Sequence, residues 1–142
     1  MSVGRICIRE VILAAGDESV AEAAARMERE GVGTLVVTDG QDRPVGILTD
    51  RDVAIRCVGQ GLDPYATEVA DVMTAPVRTV DEETPIEDAL SHMAAGGNRR
   101  LVIVDAGDRL VGILAVDDVV DLLVEEAGTI GRILHGQAPS RR

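Results

Sequence analysis

The sequence predicts an α+β fold in which one β-α-β-β-α unit is written twice. Three observations carry that reading. Residue i matches residue i+66 without a gap from about residue 11 to residue 53. Apolar residues make up 46 % of the 142 positions while aromatic residues are only 1 %, Tyr65 alone, so the core is Val, Leu, Ile, Ala and Met, the composition of strands covered by helices. Each copy also alternates short apolar runs with stretches of helical period. At this length folding removes roughly two-thirds of the chain's surface from water, enough for a core without disulfides.

The duplication is dense. One copy reads Gly31-Val-Gly-Thr-Leu-Val-Val-Thr-Asp39 and then Asp42-Arg-Pro-Val-Gly-Ile-Leu48. The other reads Gly97-Asn-Arg-Arg-Leu-Val-Ile-Val-Asp105 and then Asp108-Arg-Leu-Val-Gly-Ile-Leu114. Residues 11–14 and 77–80 open the copies as short strands. Ser19 with Glu22, and Thr84 with Glu87, have capping-box spacing, and Pro85 stands at a first helical position. Behind them Val20, Ala23, Ala24 and Met27, matched by Ile86, Ala89, Leu90 and Met93, have the i, i+3, i+4, i+7 spacing of an amphipathic helix. A methionine at that spacing belongs to a core.

Two apolar runs follow in each copy, 35–37 with 45–48 and 101–104 with 110–114, joined by Asp- and Gly-bearing turns, so each pair is a hairpin. Closing helices are expected at 50–58 and 116–126. A loop at 59–64 and a short helix at 67–73 connect the copies. The predicted division is a first repeat at 1–62, a linker helix with the second repeat at 63–128, and a tail at 129–142. One helical turn is expected in that tail through Leu134, with a loose end beyond it.

Charge and cysteine usage exclude several function classes. With 14 basic and 25 acidic side chains the formal charge is −11, which repels phosphate backbones, and no aromatic platform is present for bases to stack on. Nucleic acid is therefore not expected as a partner. Cys7 and Cys57 have no metal spacing and read as small buried hydrophobes in a reducing compartment. No signal pattern and no membrane-length apolar run is found, so the expected location is cytoplasmic, away from membranes.

Polar residues where a strand gives way to a helix are the candidate site, since ligands settle beyond strand carboxyl ends beside helix amino termini. The first copy places Gly46-Ile-Leu-Thr-Asp-Arg-Asp52 there. Gly46 allows close backbone approach, Thr49 offers a hydroxyl for a phosphate, Arg51 adds a positive charge, and Asp52 can accept ribose hydroxyls. The same Thr49-x-x-Asp52 spacing is also a variant capping box that needs no ligand. Asp50 with Asp52, and Asp117 with Asp118, suit either a nucleotide-borne divalent ion or a solvated helix start. His92 and His135 lack a second ligand at metal spacing and read as surface residues. Arg99 with Arg100 is either a surface pair or part of an anion site.

The doubled β-α-β-β-α pattern, the Gly-Ile-Leu-Thr-x-x-Asp junction and the Arg-Arg-Leu-Val-Ile-Val-Asp strand resemble a pair of CBS domains, the Bateman module, over roughly residues 5–126. The resemblance implies two repeats packed through their sheets about a pseudo-twofold axis. It implies two clefts for adenosine-containing ligands such as AMP, ADP, ATP or S-adenosylmethionine, and a disc-like homodimer. By position it assigns the phosphate-side hydroxyl to Thr49, ribose carboxylates to Asp52 and Asp118, and a phosphate contact to Arg100 with Arg99 beside it. An adenine pocket is implied around 73–79, including Thr74 and Val77, and around 7–13. The copies differ: Ala115 replaces Thr49, Asp117 replaces Arg51, and Arg100 replaces Thr34, so unequal clefts are expected, with the Thr49/Asp52 cleft favoured.

The function expected is a regulatory module, without catalysis, that senses an adenosine-type ligand and signals to an unidentified effector protein. The alternative is a ligand-free module for dimerisation or docking, carried by apolar surface at Val119, Val120, Leu122 and Leu123. No nucleophile–base pair, Walker-type loop or metal-ligand spacing points to an enzyme.

Overall fold

The computed structural model describes residues 1–136, and the loose end expected at 137–142 lies outside the described residues. Two three-stranded sheets form its centre. In the first, β1 (Leu13–Ala15) runs parallel to β2 (Thr34–Thr38), and β2 runs antiparallel to β3 (Pro44–Thr49). The crossover is α1 (Val20–Glu30). After β3 comes α2 (Asp50–Asp52), continued by a π-helical segment, Val53–Val58. A short α3 (Val69–Val72) leads into the second half. There β4 (Thr79–Asp81), α4 (Ile86–Gly96), β5 (Arg100–Val104) and β6 (Leu110–Ala115) repeat the same pairings. The chain closes with α5 (Val116–Gly131) and a π-helical turn, Arg132–Gly136.

The helical faces are those predicted. Val20, Ala23 and Met27 are buried on α1, Ala89 and Met93 on α4. Both helices stop at a glycine in the left-handed region, Gly31 at φ 67° and Gly97 at φ 64°, a conformation that costs a residue with a Cβ about 1 kcal/mol or more.

Three local expectations are corrected. The opening strands start later than 11 and 77, because parallel pairing begins at Leu13↔Val36 and Thr79↔Val102. Val11 and Val77 are used instead between the two sheets, against buried Val36, Val102 and Val104. The Thr84 capping box does not form: Pro85 is the N-cap of α4, not its first helical residue. The chain's own start takes over that role, with Ile86 N–H donating to Met1 C=O (3.0 Å) and Val3 N–H to Thr84 C=O (2.8 Å). Ser19 does cap α1, accepting from Glu22 N–H at 3.1 Å. Finally, the closing helix does not stop at 126: α5 runs on through Gly131, and the helical turn expected in the tail continues it.

The halves exchange their leading segments. Val3, with Ile6 and Cys7, packs into the second core beside Leu101, Ile103 and Leu114. Val69 and Val72, from the linker, pack into the first core with Leu35, Leu48 and Cys57. The exchange obeys the same 66-residue register as the rest: Val3 and Gly4 N–H bond Thr84 and Glu82 C=O, while Val69 and Ala70 N–H bond Glu18 and Gly16 C=O. Further along, Ile8 and Ile113 exchange two hydrogen bonds (2.9 and 3.0 Å), as do Thr74 and Ile47 (2.8 and 3.0 Å). Each leading segment thereby extends the other half's hairpin.

Glycine makes that approach possible. A Cβ at Gly112 would sit 2.6 Å from Ile8 O, and one at Gly46 would sit 2.5 Å from Met73 Sδ and 3.1 Å from Thr74 O. Gly46 therefore admits the linker backbone, not a ligand.

Because Val3 is fully buried, Val3→Ala is expected to cost about 2 kcal/mol despite its place near the chain start. Urea unfolding should show that loss, and Met1→Ala, at an exposed position, should leave the midpoint unchanged.

Candidate functional site

Three concavities lie between the halves: one of about 420 Å³ among Arg43, Pro44, Pro76 and Val104, and two smaller clefts at the exchanged segments. The linker cleft, about 250 Å³, is lined by Ile47, Thr74, Pro76, Val77, Arg78, Asn98 and Arg100. The amino-terminal cleft, about 260 Å³, is lined by Ile8, Glu10, Val11, Ile12, Val32, Gly33, Thr34, Arg100, Ile113 and Ala115. Ile8, Val11 and Ile113 in one cleft correspond to Thr74, Val77 and Ile47 in the other. The clefts are therefore pseudo-symmetric mates. A larger concavity of about 610 Å³ lies at the outer edge of β1 and β2. It draws on one half alone, and its Arg26 is already paired with Glu18 at 2.8 Å, so the inter-repeat clefts are the better candidates.

The junction residues form a complete capping box. Thr49 Oγ1 accepts from Asp52 N–H at 3.1 Å, and Thr49 N–H donates to Asp52 Oδ2 at 3.0 Å. The capping reading of that motif is the one the structure shows, and the carboxylate also lies close to a cleft wall. Asp52 is the one buried charged side chain among the described residues, 8 % exposed, and Thr74 Oγ1 lies 3.5 and 3.4 Å from its two oxygens. Since Thr74 lines the linker cleft, the carboxylate stands directly behind that wall. Arg56 Nε, 3.7 Å from Asp52 Oδ1, offsets part of the charge, and Arg56 Nη1 donates to Val72 and Met73 C=O. Arg56 thus ties the linker to the carboxylate, a role the sequence did not disclose because the partners lie 16 and 17 residues away.

In the second half only the return bond exists: Ala115 N–H donates to Asp118 Oδ2 at 3.1 Å, and Ala115 has no hydroxyl to complete the box. Asp118 stands behind the amino-terminal cleft through Ala115. The two carboxylates thus lie behind separate clefts.

Of the predicted residues, Thr74, Val77 and Arg100 line the linker cleft itself, and Thr49 and Asp52 stand one layer behind. Arg51 is exposed on the first turn of α2 and absent from the cleft walls. Arg99 points elsewhere, pairing with Asp117 at 2.9 Å where both side chains are largely exposed. Arg78 falls within the implied 73–79 stretch but was not named as a cation, and Asn98 was missed; they stand where Ile12 and Val32 stand in the other copy, and comparing wall positions pairwise would have singled them out. Among the described residues no group of three or more His, Cys, Asp or Glu side chains is placed to hold a metal ion. No described helix is long and apolar enough to cross a membrane.

A doubled β-α-β-β-α unit with facing sheets and paired inter-repeat clefts is the architecture of a CBS pair, and the chain belongs to the CBS domain family, whose profile matches residues 3–59 and 69–125. A relative in Methanopyrus kandleri, the uncharacterized protein MK0525, is 37 % identical over 122 residues, covering 86 % of this chain and 62 % of that one. Crystals of Hypoxic Response Protein I with two coordinated zinc ions superpose with a TM-score of 0.77 at 28 % identity, over 85 % of this chain and 98 % of theirs. The CBS domain pair of protein MJ0100, solved in complex with 5-methylthioadenosine and S-adenosyl-L-methionine, superposes equally well, TM-score 0.77 at 25 % identity, over 89 % of this chain and 98 % of that one.

Thr49→Ala is expected to lose about 1 kcal/mol as its half of the box disappears, whereas Ala115→Thr, whose backbone is already extended at φ −103° and ψ 150°, should gain roughly 0.5–1 kcal/mol. Urea midpoints moving in opposite directions would bear this out.

Proposed function

We propose that the chain is a regulatory module that binds an adenosine-containing ligand in its inter-repeat clefts and transmits occupancy to an effector protein. The observation that carries the reading is the buried Asp52 carboxylate behind Thr74, in the wall of a cleft whose charged lining, Arg78 and Arg100, is cationic. Within a chain of net charge −11, two arginines in the lining of one cleft with no acid beside them make a place for an anion. Pro76, Val77 and Ile47 supply the apolar wall a base requires. The MJ0100 pair, with its two adenosine-bearing ligands, supports the same chemistry. At about 250 Å³ the cleft falls near the lower limit of ligand sites, ~300 Å³, a size for a mononucleotide or S-adenosylmethionine rather than a dinucleotide. Signalling follows if the ligand binds one arrangement of the halves better than another.

A thermal-melt panel of AMP, ADP, ATP, S-adenosylmethionine and NADH tests this. A true ligand at ~100 times its dissociation constant adds about 2.7 kcal/mol, and the melting temperature should rise by several degrees. Asp52→Asn keeps an acceptor for Thr49 N–H but removes the charge, and it should abolish most of that rise. If no adenosine compound moves the melt, the reading fails.

A second reading, a dimerisation or docking module, is favoured by α5. Val119 is buried, but Val120, Leu123, Ile130 and Leu134 are exposed, and with Ala127 they repeat at alternating steps of three and four, the spacing of a helix seam. We infer a homodimer built on this face. Light scattering should report twice the chain mass, and Leu123→Glu with Ile130→Glu should return it to one.

A further inference from the structure

Arg100 lines both clefts, and no other residue does. We propose that the two clefts share this one guanidinium, so that an anionic ligand in the linker cleft disfavours a second anion in the amino-terminal cleft. The inference rests on the adenosine reading above and adds to it a rule for how the two clefts fill.

The asymmetry lies in the walls. The position equivalent to Arg100 in the first half is Thr34, which lines the amino-terminal cleft and supplies no charge. The linker cleft has a second cation, Arg78, held by its Nη1 bond to His92 C=O at 2.9 Å, and no acid in its lining. The amino-terminal cleft has Glu10 as its other charged group, and the rest of its wall is mainly Ile8, Val11, Ile12, Val32 and Ile113. Among the described residues Arg100 forms no ion pair, so its guanidinium is available to a ligand.

A phosphate in the linker cleft meets Arg78 and Arg100 together. Once it holds Arg100, the amino-terminal cleft is left with Glu10 as its charge and repels a second phosphate. That cleft remains suited to an uncharged or cationic adenosine compound, for which Glu10 and the apolar wall are no obstacle. The two clefts thus differ in ligand charge class, and one residue enforces the difference.

Calorimetric titration with AMP and, separately, with adenosine tests the rule. AMP should fill one site per chain, with any second site at least about tenfold weaker, the scale of one lost charge-assisted hydrogen bond. Adenosine, which makes no demand on the guanidinium, should show no such antagonism. Arg100→Gln should weaken AMP about tenfold or more while sparing adenosine, and Thr34→Arg, which gives each cleft its own cation, should bring the second AMP site toward the first. Two equal AMP sites in the unaltered chain, an Arg100→Gln titration unchanged from it, or binding of adenosine without AMP would each overturn the sharing while leaving the adenosine reading in place. Absence of binding by both compounds would instead remove the adenosine reading, and the sharing with it.

Discussion

The exchange of leading segments is the constraint on which the rest of this structure depends. Val3 completes the core of the second half, and Val69 with Val72 completes the core of the first. Neither half owns all the residues its core requires, so the two fold as one unit in spite of their separate sheets. Hydrogen bonds fix the exchanged strands in place at Ile8–Ile113 and Thr74–Ile47. Where those strands arrive, a Cβ cannot be accommodated, which is why Gly46 and Gly112 match across the halves. The clefts are a by-product of the same geometry. Each is the space left between an exchanged strand, the hairpin it joins and the start of the opposite sheet.

Much of this was legible in the chain, for an identifiable reason. Helix faces and hairpin turns are local, and the duplication allows each to be read twice. Asp39 and Asp105 illustrate it: each accepts from the backbone two and four residues on, 2.8 and 3.1 Å in one turn, 2.8 and 3.0 Å in the other. What escaped was long-range. Val11 and Val77 have strand-like neighbours but are drawn to the space between sheets. Thr84 has cap spacing but loses to a chain start 80-odd residues away in sequence. The Thr49–Asp52 motif was ambiguous because cap and ligand site use the same atoms. The position of Thr74 adds what the motif could not: the carboxylate that closes the helix start also lies behind a cleft wall.

The copies diverge in the charge of their cleft walls. Scaffold positions agree: Gly46 with Gly112, Asp52 with Asp118, Leu48 with Leu114, Ala23 with Ala89. Two apolar wall positions agree as well, Val11 with Val77 and Ile47 with Ile113, but others do not: Thr34 against Arg100, Ile12 against Arg78, Glu10 against Pro76, Ile8 against Thr74. Packing tolerates little change, since core losses of a methylene or two already cost about 1 kcal/mol. A cleft wall is free of that restraint. The duplicated frame has therefore kept its geometry while its cleft walls have separated in charge.

The closing helix adds a mechanical property. Its first residue, Val116, is anchored by an N–H bond to Arg99 C=O at 2.8 Å, one residue from the arginine that borders both voids. From there α5 extends through Gly131, roughly 24 Å at 1.5 Å per residue, and beyond Val119 most of its side chains face outward. A rod fixed at one end magnifies rotation: a tilt of about 5° at its base would displace the tip by roughly 2 Å over that length.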